Sequence, residues 1–286
     1  KNWWHVYLSS PYQLTHNKKH PISLWFDKLE IQRVRSYDKV IPQIVFQQPL
    51  DKIALFLKHI WSTDGNISWK KLSGRKPSSA IYYSSTSKVL INQIQHFLLR
   101  FGIQSTIHSI QKGSYRSNHN LHIQGRNNQL IFLNKIGSYG ERGNIIPSLI
   151  SALNKIEPNT NLDVIPKEVW RLLIEIEKMK SNMSWRVLAS GLHVSYSGSS
   201  LFNNGIGRER IIKIAKILKS QVLEELGSSD IYWDEIVSIT PLGVEKVYDA
   251  TVDGTHNFIA NDFCVHNSIE QDADLVMFIH REDKID

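Results

Sequence analysis

The 286-residue chain has a single cysteine, Cys264, so it can form no internal disulfide. A reducing cytosol is expected. No run of 18 or more apolar residues occurs, so no helical membrane span is expected. No Gly-x-x-x-x-Gly-Lys-Ser/Thr phosphate loop occurs either, which excludes this common nucleotide-binding device. A secretory leader is not seen, and the chain starts at Lys1 rather than Met, so it is expected to be a fragment. Acidic side chains are scarce over residues 1–150, with 6 Asp/Glu against 20 Lys/Arg. Such an excess of positive charge is the footprint of a polyanion binder, most simply of nucleic acid. The balance is 11 Lys/Arg to 8 Asp/Glu over residues 151–227 and reverses to 3 against 13 over residues 228–286. The change of sign near residue 228 marks a domain boundary. Apolar content of 41% and charged content of 21% are ordinary for a globular chain of one to three domains.

Residues 49–66 carry apolar side chains at Leu50, Ile53, Ala54, Leu57, Ile60 and Trp61, one face of a helix. The helix stops at Asp64-Gly65. A carboxylate at a helix C-terminus gains nothing from the helix dipole, and a bound Mg²⁺ would resolve that conflict. Downstream, residues 79–85 are strand-like. Ser87 caps a helix over Val89, Leu90, Ile94, Phe97, Leu98 and Phe101, closed by Gly102. Residues 103–110 and 120–123 read as paired strands around a basic turn, Lys112 to Arg116. Leu57-Lys58-His59-Ile60-Trp61-Ser62-Thr63-Asp64-Gly65 resembles the LAGLIDADG motif of homing endonucleases. The resemblance implies a saddle-shaped sheet on double-stranded DNA, with Asp64 as the catalytic carboxylate and Mg²⁺ ligand. Lys70, Lys71, Arg75, Lys76, Lys112, Arg116 and Arg126, mixed with Trp69 and Tyr115, are then expected phosphate contacts. That family uses two such motifs. The first is not found here, so cutting would need a second Asp-bearing helix from another fragment or a second copy.

Between residues 166 and 218, three periodic segments are separated by short breaks. Pro166-Lys167-Glu168 opens a helix to about Met179, Ser184 caps a second over residues 185–192, and a third follows residue 207. Residues 193–195 would be a turn and residues 196–203 a recognition helix. The arrangement resembles helix-turn-helix proteins, which implies that Tyr196, Ser197, Ser199, Ser200 and Asn203 face DNA.

Past residue 228 the pattern is short strands and turns. Residues 230–240 read as a strand, Pro241-Leu242-Gly243 as a turn, and residues 247–252 as its return. Residues 257–260 and 263–265 follow across Asn261-Asp262. The run closes on Val265-His266-Asn267-Ser268. An Asn side-chain amide can attack its own carbonyl carbon, a neighbouring His can protonate the leaving amine, and a following hydroxyl can accept an acyl group. Residues 247–268 resemble the C-terminal splicing blocks of inteins, whose Hint fold is all-β. The resemblance implies that Asn267 cyclises, with His266 and His256 assisting. It also makes Asp249 the coupler of the two splicing steps and Ser268 the downstream nucleophile. The Cys or Ser that initiates splicing, and its Thr-x-x-His block, are not found. An N-terminal intein half in cis or trans is therefore an expected partner.

Residues 268–286 resemble a segment of the motor domain of DnaB-type replicative DNA helicases. ATP use and unwinding would belong to that parent, which acts as a hexamer after splicing.

The expected fold class is α+β in four parts. Residues 1–150 form an α/β endonuclease half, residues 151–227 a helical DNA-binding segment, residues 228–267 an all-β splicing region, and residues 268–286 the start of a helicase host. Two alternatives stay open: a sequence-specific DNA-binding protein without cleavage, and the C-terminal partner of a split intein.

Overall fold

The computed structural model describes residues 7–70, 74, 77–156, 163–196, 198–244, 246, 250 and 252–266. Residues 1–233 and 234–286 are two separate compact units.

The first unit opens with α1 (Pro21–Lys28) and α2 (Gln43–Phe46), then α3 (Leu50–Asp64), β1 (Gly65–Lys70), β2 (Ser78–Ser85) and α4 (Lys88–Leu99). β3 (Ser105–Ile110), β4 (Asn118–Ile123), α5 (Arg126–Lys135), α6 (Gly140–Asn144) and α7 (Ile146–Asn154) follow. The four strands form one antiparallel sheet in the order β1-β2-β4-β3. The helix over residues 50–64 therefore ends where the motif does. It buries Ile53, Leu57 and Trp61, four residues apart, while Leu50 is half exposed. α4 buries Ile91, Ile94, Phe97 and Leu98, and Val89, expected on that face, is exposed. Its start is fixed by Ser87, whose Oγ accepts the Leu90 N–H at 3.1 Å and donates to the Lys39 carbonyl at 2.6 Å. Its end is turned by Gly102 at φ +70°, a left-handed conformation that only glycine adopts cheaply.

Cross-strand register sorts the sheet into two faces. Gly65, Tyr83, Leu121 and Ile107 lie in one row, and Ile67, Ile81, Ile123 and Ser105 in the next. These rows pack into a core with α3, α4, α5 and α7. Their neighbours in sequence point to the opposite, open face.

A second core lies further along the same unit. It contains β5 (Val164–Ile165), a π turn (Trp170–Ile174), α8 (Glu175–Lys180), α9 (Trp185–Gly191) and β6 (Ile206–Gly207). α10 (Arg208–Leu218) and α11 (Gln221–Ser228) complete it. Arg208 is its latch: Nε meets Asp163 at 2.6 Å, and the other guanidinium nitrogens donate to the carbonyls of Leu226, Ser229 and Ile231. The expected recognition helix over residues 196–203 is not an α-helix. A 3-10 helix, Gly198–Asn203, stands there instead. Glycine at φ +65° and a serine-rich sequence disfavour an α-helix, and Leu201 and Phe202 hold the short turn by packing on the core.

The strand expected over residues 230–240 is not formed, and residues 229–243, which span the boundary at 233/234, carry no strand. Ile236, Val237, Ile239 and Leu242 are exposed. A strand needs a ladder partner, and none is present among the described residues. Most of the expected return strand, residues 247–252, falls outside them. What is formed is a hairpin of β7 (Asn257–Ala260) and β8 (Phe263–His266). Asn261 and Asp262 both adopt positive φ, the requirement of a two-residue type I′ turn that matches strand twist. The chain is thus a mixed α+β protein, and its all-β part amounts among the described residues to this hairpin.

Candidate nucleic-acid and hairpin sites

Asp64 is the last residue of α3, and its side chain is exposed. Gly65 pairs with Tyr83 across the sheet, which sets the buried Tyr83 beside the Asp64 carboxylate. Burial first, and then the neighbouring Asp64 carboxylate, push the Tyr83 phenol up to about 12. Tyr83 therefore stays a donor across the neutral range. Gly65 is required by packing: a Cβ there would lie 2.3–2.8 Å from ring atoms of Trp61. From the other side Arg142 donates to the Ser62 carbonyl, and the Tyr139 N–H donates to Ser62 Oγ at 2.8 Å. A cation on a last-turn carbonyl suits the helix dipole. The end of α3 is thus fixed by β2, by α6 and by the residues just before it.

Among the described residues no three His, Cys, Asp or Glu side chains converge on a metal position. Asp64 offers one hard oxygen ligand, whereas Mg²⁺ takes octahedral coordination and usually more than one anionic partner. Asp64 is the residue among those described that the motif would offer to Mg²⁺.

The open face of the sheet carries Asn66, Ser68 and Lys70 from β1, and Tyr82 and Ser84 from β2. β4 adds Asn118, Asn120 and His122, and β3 adds Thr106 and His108. None is acidic. Ser84 Oγ donates to Asn120 Oδ1 at 2.6 Å, Asn118 Nδ2 donates to the same oxygen at 2.8 Å, and Asn66 Nδ2 donates to Ser68 Oγ at 2.9 Å. The result is a surface of amides, hydroxyls and imidazoles, the groups that hydrogen-bond base edges. Sequence reasoning missed this set. Its signal was available: the strand alternation that selects Ile81 and Tyr83 for the core assigns Tyr82 and Ser84 to the open side.

The basic residues separate. Lys70 lies at the open end of β1, its ammonium 5.9 Å from the Tyr82 ring centroid. Lys112 and Arg116 are exposed on the β3–β4 turn, and Arg116 stacks over Tyr37 at 3.8 Å. Arg126 is different: its Nε donates to the Leu153 carbonyl at 2.9 Å and ties α5 to α7, so it is a structural cation. Lys71, Arg75 and Lys76 lie outside the described residues, as do Ser197 and the side chain of Ser199. Tyr196 and Asn203 are exposed, but without the recognition helix that was to align them.

The hairpin brings two distant histidines together. Asn257 pairs with His266, so His256 comes alongside, with ring centroids 6.2 Å apart and planes 23° from parallel. His256 sits at φ +53°, after a turn in which its N–H reaches the Val252 carbonyl at 3.2 Å. Asn267, Ser268 and Asp249 lie outside the described residues.

Residues 51–137 match the family described as a LAGLIDADG-like domain. That range holds Asp64, all four strands and the basic turn. Over nearly its whole length the chain is also similar to replicative helicases. It is 41% identical over 285 residues to the replicative DNA helicase DnaB of Nostoc sp., covering 99% of this chain and 32% of that protein. It is 42% identical over 286 residues to its counterpart in Synechocystis sp., again covering 99% and 32%. A more distant relative is a DNA gyrase subunit from Mycolicibacterium flavescens, 26% identical over 254 residues, 88% of this chain and 43% of that protein. The chain thus spans about a third of the length of the helicase relatives. No helix among the described residues is long and apolar enough to cross a membrane.

Proposed function

We propose that this chain is the C-terminal part of an intein carried by a DnaB-type replicative helicase precursor, combined with half of a LAGLIDADG homing endonuclease. The observation that carries the reading is the β7–β8 hairpin, which stacks His256 on His266 directly before Asn267. In the proposed reaction the Asn267 side-chain nitrogen attacks its own backbone carbonyl carbon. A succinimide forms, the C–N bond to Ser268 breaks, and the Ser268 nitrogen leaves as an amine after taking a proton. The histidine pair supplies and relays that proton. Before this step the Ser268 hydroxyl would accept the upstream acyl group, with Asp249 coupling the two events.

Two further observations support the reading. Most of the chain is similar both to a helicase and to part of a gyrase, as expected of an inserted element rather than a catalytic domain of either. The exposed Ile236, Val237, Ile239 and Leu242 leave a strand's worth of apolar surface for an N-terminal intein half. ATP hydrolysis, unwinding and the helicase hexamer belong to the parent.

For residues 51–137 we assign double-stranded DNA as the ligand of the acid-free sheet face, flanked by Lys70, Lys112 and Arg116. Cutting requires a second carboxylate beside Asp64, so this chain alone binds DNA without cleaving it. DNA binding is tested by anisotropy with a labelled random-sequence duplex across a salt series. Tightening at low salt is expected, and no binding at any salt contradicts the assignment. The splicing chemistry is tested by the mass of the purified chain, which should fall by residues 268–286 once an N-terminal intein half is bound.

A further inference from the structure

Three rings and one ammonium group form a continuous cluster on the open face, each from a different strand. Lys70 of β1 stands over Tyr82 of β2, Tyr82 packs on His122 of β4 at 5.4 Å, and His122 meets His108 of β3 at 5.5 Å. The register explains the meeting: Tyr82, His122 and Thr106 share one row, and His108 lies two residues along from Thr106. Charges of only one sign face this cluster. β1 contributes Lys70, β2 the neutral phenol of Tyr82, and β3 and β4 the two imidazoles themselves. No carboxylate projects from the open face of any strand. An imidazole among carboxylates keeps its proton, whereas one facing a lysine and a second imidazole gives it up readily. Half-burial, His108 and Lys70 together hold His122 below the usual imidazole range. The His122 proton is therefore held less tightly than that of an ordinary imidazole when no anion is present.

We propose that the His108–His122 pair is a proton-loaded phosphate site, where binding of the DNA backbone takes up protons and affinity rises as pH falls. This rests on the assignment of double-stranded DNA to the sheet face. A phosphate beside the imidazoles replaces the opposite charge that the strands do not supply, so the bound state favours the imidazolium form. By linkage, the form that binds more protons is favoured at lower pH. The window starts from the lowered range of free His122 and moves upward when phosphate is bound. At higher pH the face remains polar, and Lys70, Lys112 and Arg116 carry the electrostatic part of binding alone.

The test uses the full chain and a labelled random-sequence DNA duplex, with anisotropy titrations over a salt series at pH 8 and at pH 6. Each added phosphate contact steepens the dependence of log affinity on log salt by about 0.9. The expected result is a slope steeper by about 1–2 at pH 6 and an affinity several-fold higher at fixed salt. The double variant His108→Asn/His122→Asn is expected to show the same salt slope at pH 8 and at pH 6. Binding with a pH-independent slope in the parent chain overturns the proposal while leaving the DNA assignment intact. So does a pH dependence that persists in the double variant. Absence of binding at both pH values overturns the DNA assignment itself. Each variant's circular dichroism must match the parent's, and His108→Gln/His122→Gln replaces the pair if the first variant does not fold.

Discussion

His256 and His266 lie with ring centroids 6.2 Å apart and planes 23° from parallel, although ten residues separate them in sequence. The I′ turn at Asn261-Asp262 sets this distance by fixing a register in which Asn257 faces His266. If the pair serves cleavage after Asn267, then His256→Ala should slow release of residues 268–286 about 100-fold or more, the usual weight of a positioned acid or base. His266→Ala should act similarly, and the two losses should not add, because one proton path is broken either way. Time courses of released peptide by mass spectrometry check this. Fully additive losses would argue that the histidines act independently.

Gly65→Ala is expected to destabilise the first unit by about 1–3 kcal/mol, the cost of overpacking a rigid site. The new methyl would meet the indole of Trp61, which is fully buried and cannot swing aside. Thermal melts of parent and variant read this directly, and an unchanged melting temperature would show that Trp61 can move.

In a spectrophotometric titration Tyr83 should ionise late, near pH 12. Its folded value lies above the ordinary value of 10.0. The stabilisation it contributes is therefore complete below about pH 10 and is lost as pH rises through about 12. In Tyr83→Phe the late phenol disappears and the alkaline loss of stability between those values shrinks. A Tyr83→Phe variant with unchanged alkaline stability would contradict the upward shift of the Tyr83 phenol.

Lys112→Ala and Lys70→Ala should each reduce the salt slope of DNA binding by about 1 while leaving the melting temperature nearly unchanged. Arg126→Ala should do the opposite, because its guanidinium holds the Leu153 carbonyl and not the ligand. A lowered melting temperature with an unaltered salt slope is expected, and a reduced slope would return Arg126 to the DNA surface.

Local signals predict local structure well. The α3 periodicity, the Ser87 cap, the Lys112–Arg116 turn and the Asn261-Asp262 turn depend on a few neighbouring residues, and all four are present in the structure. Residues 196–203 differ because spacing after a capped helix suggests another helix, whereas their serines and glycine favour a tight 3-10 turn anchored by Leu201 and Phe202. Residues 230–240 differ because alternation reports which side chains could be buried, not whether a partner strand is there. The Tyr83–Asp64 contact and the His108–His122 cluster are not legible in the sequence, since both depend on register between strands distant along the chain. Arg126 looks like its exposed basic neighbours, and only the position of α7 reveals its structural bond.

The measurement that bears most directly on the splicing assignment is the intact mass of the purified chain over hours near neutral pH. It is made alone and with a separately expressed N-terminal intein half, with Asn267→Ala as control. The expected result is loss of residues 268–286 once the N-terminal half is bound, and no loss in Asn267→Ala. An unchanged mass in the parent chain with the N-terminal half bound would contradict the assignment of Asn267 and the histidine pair to peptide-bond cleavage.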